Sequence, residues 1–321
     1  MRTLTILCSL SFLLAAPAQE LRHGLVRADV VVVGRQVGKT AHDDQVTLHR
    51  VQVLHDVRGA NGNTAVTVLD WPNLSLHQRP MPRQSRLYCL QDASAAATRL
   101  GLAAANGPYY RMVGWAGTSP LIGSDIAADP VVSLAQLLAR SDAGARPTDT
   151  AAELCRLATT GDAAVRTEAA SLLAERPDLR AQLSPMQWSQ LLARAGGEVD
   201  DVPHKIALAE LCGEQRLDGL LETLAVSLGQ VQDPEYARAV GRIGKMLDGE
   251  AATRILQQRL QQLREPKDRA VVLLAIGATD TESALEALLS MARTARGDGA
   301  VEAALKEHRS RRAKEAVAKR K

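Results

Sequence analysis

Residues 161–173 read Gly161-Asp162-Ala163-Ala164-Val165-Arg166-Thr167-Glu168-Ala169-Ala170-Ser171-Leu172-Leu173. A Gly-Asp pair opens the stretch. Val165, Ala169, Leu172 and Leu173 then recur three and four residues apart, which places them on one face of a helix. Ser184-Pro185 opens the next helix, with serine as N-cap and proline at the first helical position. The alternation continues outward: Pro203 to Leu211 with Leu217 to Leu228, Asp233 to Leu247 with Glu250 to Leu263, and Pro266 to Ile276 with Thr281 to Ala295. Starts near residues 163, 203, 233, 267 and 299 lie 40, 30, 34 and 32 apart. Repeating helical pairs have this spacing, because one pair cannot bury its apolar face alone and does so against its neighbours. Four pairs are readable. Gly241 and Gly244 fall inside a helix, at about 1 kcal/mol each relative to alanine, and make the third pair the least regular.

Two segments carry a family resemblance. Asp162 to Ala170 resembles the HEAT signature D-x-x-V-R-x-x-A-A. Arg269 to Ala278 resembles the HEAT element R-x-x-A-L-x-x-L-G, and Glu282 to Leu289 supplies the matching second helix. The resemblance implies a HEAT-like α-solenoid over residues 149–305. Asp162, Arg166 and Arg269 stand at repeat-signature positions, where a structural role is expected. A stack of such pairs leaves a long face for a protein partner.

Upstream, Asp142 to Asp149 is polar and rich in Gly, Pro and Ala, and marks a domain boundary. Val131 to Ala139 before it is helical, and Asp149-Thr150 after it caps a helix running to Ala158. Residues 21–125 read as β. Ala28 to Gly34 is a continuous apolar run ended by glycine, as in a buried strand. Val46 to Leu54, Ala65 to Leu69, Arg86 to Leu90 and Tyr109 to Trp115 supply four more strands. Asp56 to Asn63 is a turn, Trp71 to Arg83 a loop with three prolines, and Asp92 to Ala105 either a short helix or a mobile loop. Five short strands predict a small antiparallel barrel or sandwich over residues 19–145. The fold class is therefore α+β with two domains. Ala28 to Gly34, Val51 to Gly59 and Tyr88 to Leu90 follow a motif order similar to that of a front domain of exported bacterial proteins. That resemblance implies a barrel of the OB or netrin-like type, a group whose members mostly bind other proteins.

Residues 1–18 have the form of a signal peptide. Arg2 is the basic region, Leu4 to Leu14 the apolar region, and Ala16-Pro17-Ala18 the small residues before a cut at Gln19. An uncleaved anchor is the other reading. No later stretch is long and apolar enough to span a bilayer, so a soluble periplasmic or secreted monomer is expected. Past residue 18 only Cys89, Cys155 and Cys212 remain, each beside leucine. They read as small buried hydrophobes, with a Cys155–Cys212 bond as the alternative.

The net charge of +3 is unevenly distributed. Residues 306–321 hold eight basic and two acidic residues, or +6. The chain between residues 18 and 306 holds 30 basic and 34 acidic, or −4. The tail is expected to extend the last helix and fray. Arg309, Arg311, Arg312, Lys319, Arg320 and Lys321 are candidates for contact with a polyanion. The segment contains no aromatic residue on which a base could stack.

No HExxH, CxxC, Walker or Gly-x-Ser-x-Gly pattern occurs, so no cofactor is expected. Gly34 to Thr40 ends in Gly-Lys-Thr, but three residues separate its glycines where a P-loop needs four. Five of the seven histidines lie in the β half. His42, Asp44, His49 and His55 are conceivable metal ligands, against the reading of exposed histidines on a polar face. Three functions compete: a non-enzymatic protein-binding scaffold, a metal-binding or enzymatic β domain with accessory repeats, and a polyanion or membrane-surface binder acting through the tail.

Overall fold

The computed structural model describes residues 17–42, 46–71, 83–102, 107–113, 120–141, 146–197, 201–294 and 298–319. It divides into two compact units, Met1–Arg146 and Pro147–Lys321.

In the first unit, β1 (Val30–Ala41), β2 (Thr47–Arg58), β3 (Ala65–Asp70), β4 (Ser85–Asp92) and β5 (Tyr109–Met112) close into a barrel in the order β1-β2-β3-β5-β4. The ring closes where β4 pairs with β1, from Val30↔Leu90 to Arg35↔Ser85. The expectation of a wholly antiparallel barrel is corrected at one seam, because β3 and β5 run parallel, with Thr67 opposite Tyr109. An odd number of strands in a closed ring cannot alternate direction throughout, so one parallel pair is obligatory. Val30, Val32, Val51, Val66, Val68, Tyr88, Leu90, Tyr110 and Met112 fill the interior. The outward side is covered as well. Helix α1 (Pro17–Arg27) packs on β4 and α3 (Pro130–Ser141) packs on β2. Val31, Val33, Leu87 and Cys89 are therefore also buried, which explains the uninterrupted apolar run of β1. Arg58 holds the end of α1 by donating to the carbonyls of Leu25 and Ala28, both at 2.6 Å. Helix α2 (Ser94–Arg99) closes one end over Val46, Leu69 and Tyr109.

Gly34 does not end β1. The strand runs on to Ala41, paired with β2 as far as Ala41↔Thr47. The glycine is needed for a close approach, since a Cβ there would lie 2.5 Å from Val51 Cγ1 and 2.9 Å from the Gln52 carbonyl.

The second unit contains α4 (Pro147–Thr160), α5 (Ala163–Glu175), the short α6 (Pro177–Arg180), α7 (Pro185–Gly196), α8 (Val202–Glu214), α9 (Leu220–Ser227), α10 (Pro234–Gln262), α11 (Pro266–Thr279), α12 (Glu282–Thr294), α13 (Gly299–Glu307) and α14 (Arg311–Ala318). The helix expected to start at Asp149-Thr150 starts at Pro147, which leaves Asp149 inside the first turn. Asp248 breaks α10 into two arms, with φ −160° and ψ 98°. Packing follows the chain in two rows. One row is α5 on α8, α8 on α10, α10 on α11 and α11 on α13. The other is α4 on α7, α7 on α9, α9 on α10, α10 on α12 and α12 on α14. Apart from the short α6, which packs on α4 and α5, and α10, which belongs to both rows, successive helices alternate between them.

The glycines read as a weakness of the third pair sit where α10 meets α11 and where the two arms of α10 meet each other. A Cβ on Gly241 would collide with the Ala275 carbonyl and the Ala278 Cβ, and one on Gly244 would lie 2.7 Å from the Ala252 Cβ. Gly277 meets the Ala304 carbonyl in the same way. The cost in helix propensity is offset by a closer approach of helix axes.

The expectation that the C-terminal segment extends the last helix is also corrected. The helix stops at Glu307, and Ser310 caps a new one by accepting from Ala313 N at 3.2 Å. Ala313 and Val317, one turn apart, are buried. Two apolar residues suffice because the rest of the contact is polar. Arg309 N donates to Asp280 Oδ1 at 2.9 Å, and His308 Nε2 donates to the Thr281 carbonyl at 2.9 Å. Helices α13 and α14 form a fifth pair.

Candidate functional site

The candidate ligands in the barrel do not converge. His42, just past β1, is exposed and donates from Nε2 to the Leu100 carbonyl at 3.0 Å. His49 points inward from β2, 3% exposed, with Nε2 3.3 Å from Asp70 Oδ2. It is a buried histidine and not one on a polar face. His55 accepts at Nε2 from Gln136 Nε2 of α3 at 2.8 Å. His49 lies opposite Lys39 and His55 opposite Val33. Six residues of strand place them about 20 Å apart, so they cannot share an ion that needs each nitrogen at about 2 Å. Asp44 lies outside the described residues. Among the described residues no three His, Cys, Asp or Glu side chains form a group that could hold a metal.

Gly38, Lys39 and Thr40 lie in β1, paired with β2. An extended strand presents no cradle of N–H groups to a phosphate. Cys89, Cys155 and Cys212 are free and buried. Burial pushes the Cys89 and Cys212 thiols up to about 12 and that of Cys155 to about 11. None is a nucleophile near neutral pH.

Two of the repeat-signature residues, Asp162 and Arg269, hold helix ends. Asp162 caps α5 by accepting from Val165 N at 2.9 Å. Arg269 closes the C-terminal end of α10 by donating from Nη1 to the carbonyls of Leu260 and Leu263, at 2.8 and 3.2 Å. Arg166 is half-buried on α5. In the basic segment, Arg312 donates to Glu282 at 2.5 Å and to Glu286 at 2.6 Å, and Arg311 donates to Glu315 at 2.7 Å. These carboxylates raise the Arg312 pKa and balance part of the positive charge. Lys319 ends α14, while Arg320 and Lys321 lie outside the described residues.

One site was not singled out from sequence. A groove of about 650 Å³ runs between α4 and α7, lined by Cys155, Arg156 and Thr160 of α4 and by Gln187, Gln190 and Arg194 of α7, among others. The signal in the sequence was a polar stripe at helical spacing on each helix, which is indistinguishable from a solvated face until two such helices lie side by side. Near its Arg194 end, on α8, Lys205 is 2% exposed. Its Nζ makes no hydrogen bond and lies 5.5 Å from the centroid of the Tyr236 ring. Burial first, and the charge of Arg194 second, bring the Lys205 pKa down to about 8. The Tyr236 hydroxyl shares a 2.5 Å hydrogen bond with Ser227 Oγ, and burial pushes it up to about 12.

These features define a chain with a small closed barrel followed by a helical unit that carries a groove between α4 and α7. No family model, curated protein or solved structure matches it. Its function is therefore read from the sites themselves.

Proposed function

We propose that this is an exported, non-enzymatic binding protein whose helical unit is a HEAT-like solenoid presenting a surface to a protein partner. The observation that supports the reading is that helices of the unit pack in two rows, α5-α8-α10-α11-α13 and α4-α7-α9-α10-α12-α14, with the short α6 outside both and α10 shared between them. Such arrays bury a core shared between repeats and leave long faces free. The barrel is read as an OB or netrin-like module, a reading supported by its five-stranded closed ring with a single parallel seam.

Export is part of the proposal. Leu21 and Leu25, the residues by which α1 is buried, lie beyond a cut before Gln19 and survive it. The protein is expected in the periplasm or medium with an N-terminus at Gln19; its retention in the cytoplasm sinks the export reading, and an intact Met1 on exported protein sinks the cleavage. For the binding reading, residues 19–321 are used as bait in cross-linking capture from the same compartment. One reproducible protein, lost when the bait is residues 19–146 alone, supports it. A bait that recovers nothing above background counts against it.

A further inference from the structure

We propose that the projecting end of β1, from Val37 to Ala41, takes an added antiparallel β-strand from a protein partner, an extended segment carrying acidic side chains. The proposal concerns the barrel and goes beyond the binding role read from the helices.

The edge is open on one side. β4 accompanies β1 only as far as Arg35↔Ser85. Arg83, two residues before Ser85, has φ +66°, a left-handed conformation by which the chain leaves the line of the strand. β1 continues along β2 to Ala41↔Thr47. Among the described residues no strand pairs with its other side beyond Arg35. Burial changes at the same point. Val30 to Gly34 are buried, whereas Val37, Lys39, Thr40 and Ala41 are exposed.

The hydrogen-bond pattern fixes what can be added. His42 N donates to the Val46 carbonyl at 2.9 Å, which makes His42 and Val46 a hydrogen-bonded pair. Bonded and non-bonded pairs alternate along an antiparallel ladder. Thr40↔Leu48 and Gly38↔Arg50 are therefore bonded pairs, and Lys39↔His49 and Ala41↔Thr47 are not. The N–H and C=O groups of Lys39 and Ala41 point away from β2 and have no partner among the described residues. They set donors and acceptors along one line, which the backbone of an extended peptide matches.

Charge selects the occupant. Arg35 and Lys39 are exposed on the strand. Arg50 is exposed across from Gly38, which puts no side chain between it and the edge. Arg35 donates to the neutral Ser85 hydroxyl at 3.1 Å. Among the described residues none of these three cations is paired with a carboxylate. A second copy of the same edge would bring two Lys39 ammoniums together, so this lysine disfavours self-pairing. It favours an acidic strand, whose charges would face it across the new pair.

The test uses residues 19–321 and fluorescein-labelled octapeptides of alternating Thr-Glu, Pro-Glu and Thr-Lys, followed by fluorescence polarisation. The Thr-Glu peptide is expected to bind saturably. Pro-Glu carries the same charge but lacks every second N–H, and Thr-Lys carries the wrong sign. Both should bind at least roughly tenfold more weakly. Lys39→Gln and Ala41→Pro are each expected to weaken Thr-Glu binding by a similar factor. The proline removes an N–H that points away from β2 and leaves the ladder between β1 and β2 its donors. Should it disturb the fold, Lys39→Gln keeps the test open. With Thr-Glu bound, the amides of Lys39 and Ala41 should exchange more slowly with deuterium, and that of Thr40 should not change. Lys314→Glu, in the basic segment of the helical unit, should leave binding as it is. No binding, equal binding of Pro-Glu and Thr-Glu, or binding that withstands both β1 variants overturns the proposal. So does an equal loss in Lys314→Glu, which would mark attraction to positive charge in general. The helical reading is tested separately, by capture, and neither result decides the other.

Discussion

Lys205 is the residue most at odds with its surroundings. Its ammonium is buried with no hydrogen bond, 5.5 Å from the centroid of the Tyr236 ring. The unfolded chain titrates this amine near 10.5 and the folded chain near 8. Between those values the unfolded state binds more protons, so stability rises with pH through the window, and below about pH 8 the penalty is present in full. A shift of this size is worth about 3 kcal/mol, while the cation–π contact returns about 1. Lys205→Met is therefore expected to stabilise the protein by about 2 kcal/mol at pH 7, measured by urea unfolding. The raised thiols and Tyr236 titrate in the opposite sense above pH 9, so the informative quantity is the difference between the two proteins. That difference should shrink by about 1 kcal/mol from pH 7 to 9, and a constant difference would falsify the assignment. Nothing in the sequence marked this lysine, since a Lys in a helical run reads as solvated unless its neighbours are known.

At the scale of elements, the glycines show how pattern reading fails. Gly241 and Gly244 lower helix propensity, and a single-helix view counts that as a defect. The compensating contact at Gly241 comes from Ala275 and Ala278 of α11, more than 30 residues away, and at Gly244 from Ala252, which only the break at Asp248 folds back against it. Gly277 gives the clearest test. Alanine there gains about 1 kcal/mol of helix propensity. It also places a methyl against the Ala304 backbone carbonyl, where no side chain can move aside, and overpacking costs about 1–3 kcal/mol or more. Gly277→Ala is expected to lose about 1 kcal/mol net by thermal or urea unfolding, and a more stable variant would refute the close approach. Gly299, with open space around its Cβ position, is the control, and its alanine variant should be neutral or slightly stabilised. The C-terminal segment failed for a related reason. Ala313 and Val317 make too thin a stripe to read as a helix face, but Asp280, Glu282 and Glu286 supply the rest of the contact. Deleting residues 309–321 should accordingly destabilise the helical unit, seen as a lowered melting temperature. An unchanged melt would mean that α14 adds nothing.

For the molecule as a whole, the change from period-two strands to period-3.6 helices was plain in the sequence, and the described strands and most helices fall where apolar spacing and Ser, Asp or Pro starts put them. Asp162, Ser184 and Asp233 each cap the helix that follows them. The pairing partners were not legible: which edge β4 takes, and that β3 and β5 run parallel, depend on closure of the ring. The groove between α4 and α7 was hidden for the same reason, since it belongs to two helices and to neither sequence stripe alone. Each unit has its own core, so residues 19–146 and 147–321 expressed separately should each unfold cooperatively. A fragment that gives no transition by circular dichroism would show that its core is not self-sufficient.

The seam between β1 and β4 also bears on the order in which the chain folds. Val30 must find Leu90 before the ring can close, and that loop has to be gathered before any contact rewards it. In the helical unit helices contact others close by in the chain, such as α4 with α5 and α7, and α11 with α12 and α13, so packing there can build up locally. The helices should therefore form first and the barrel close later. Trp188 lies in α7 and Trp71 just past β3, so refolding followed through single-tryptophan variants should give a faster phase at Trp188 than at Trp71.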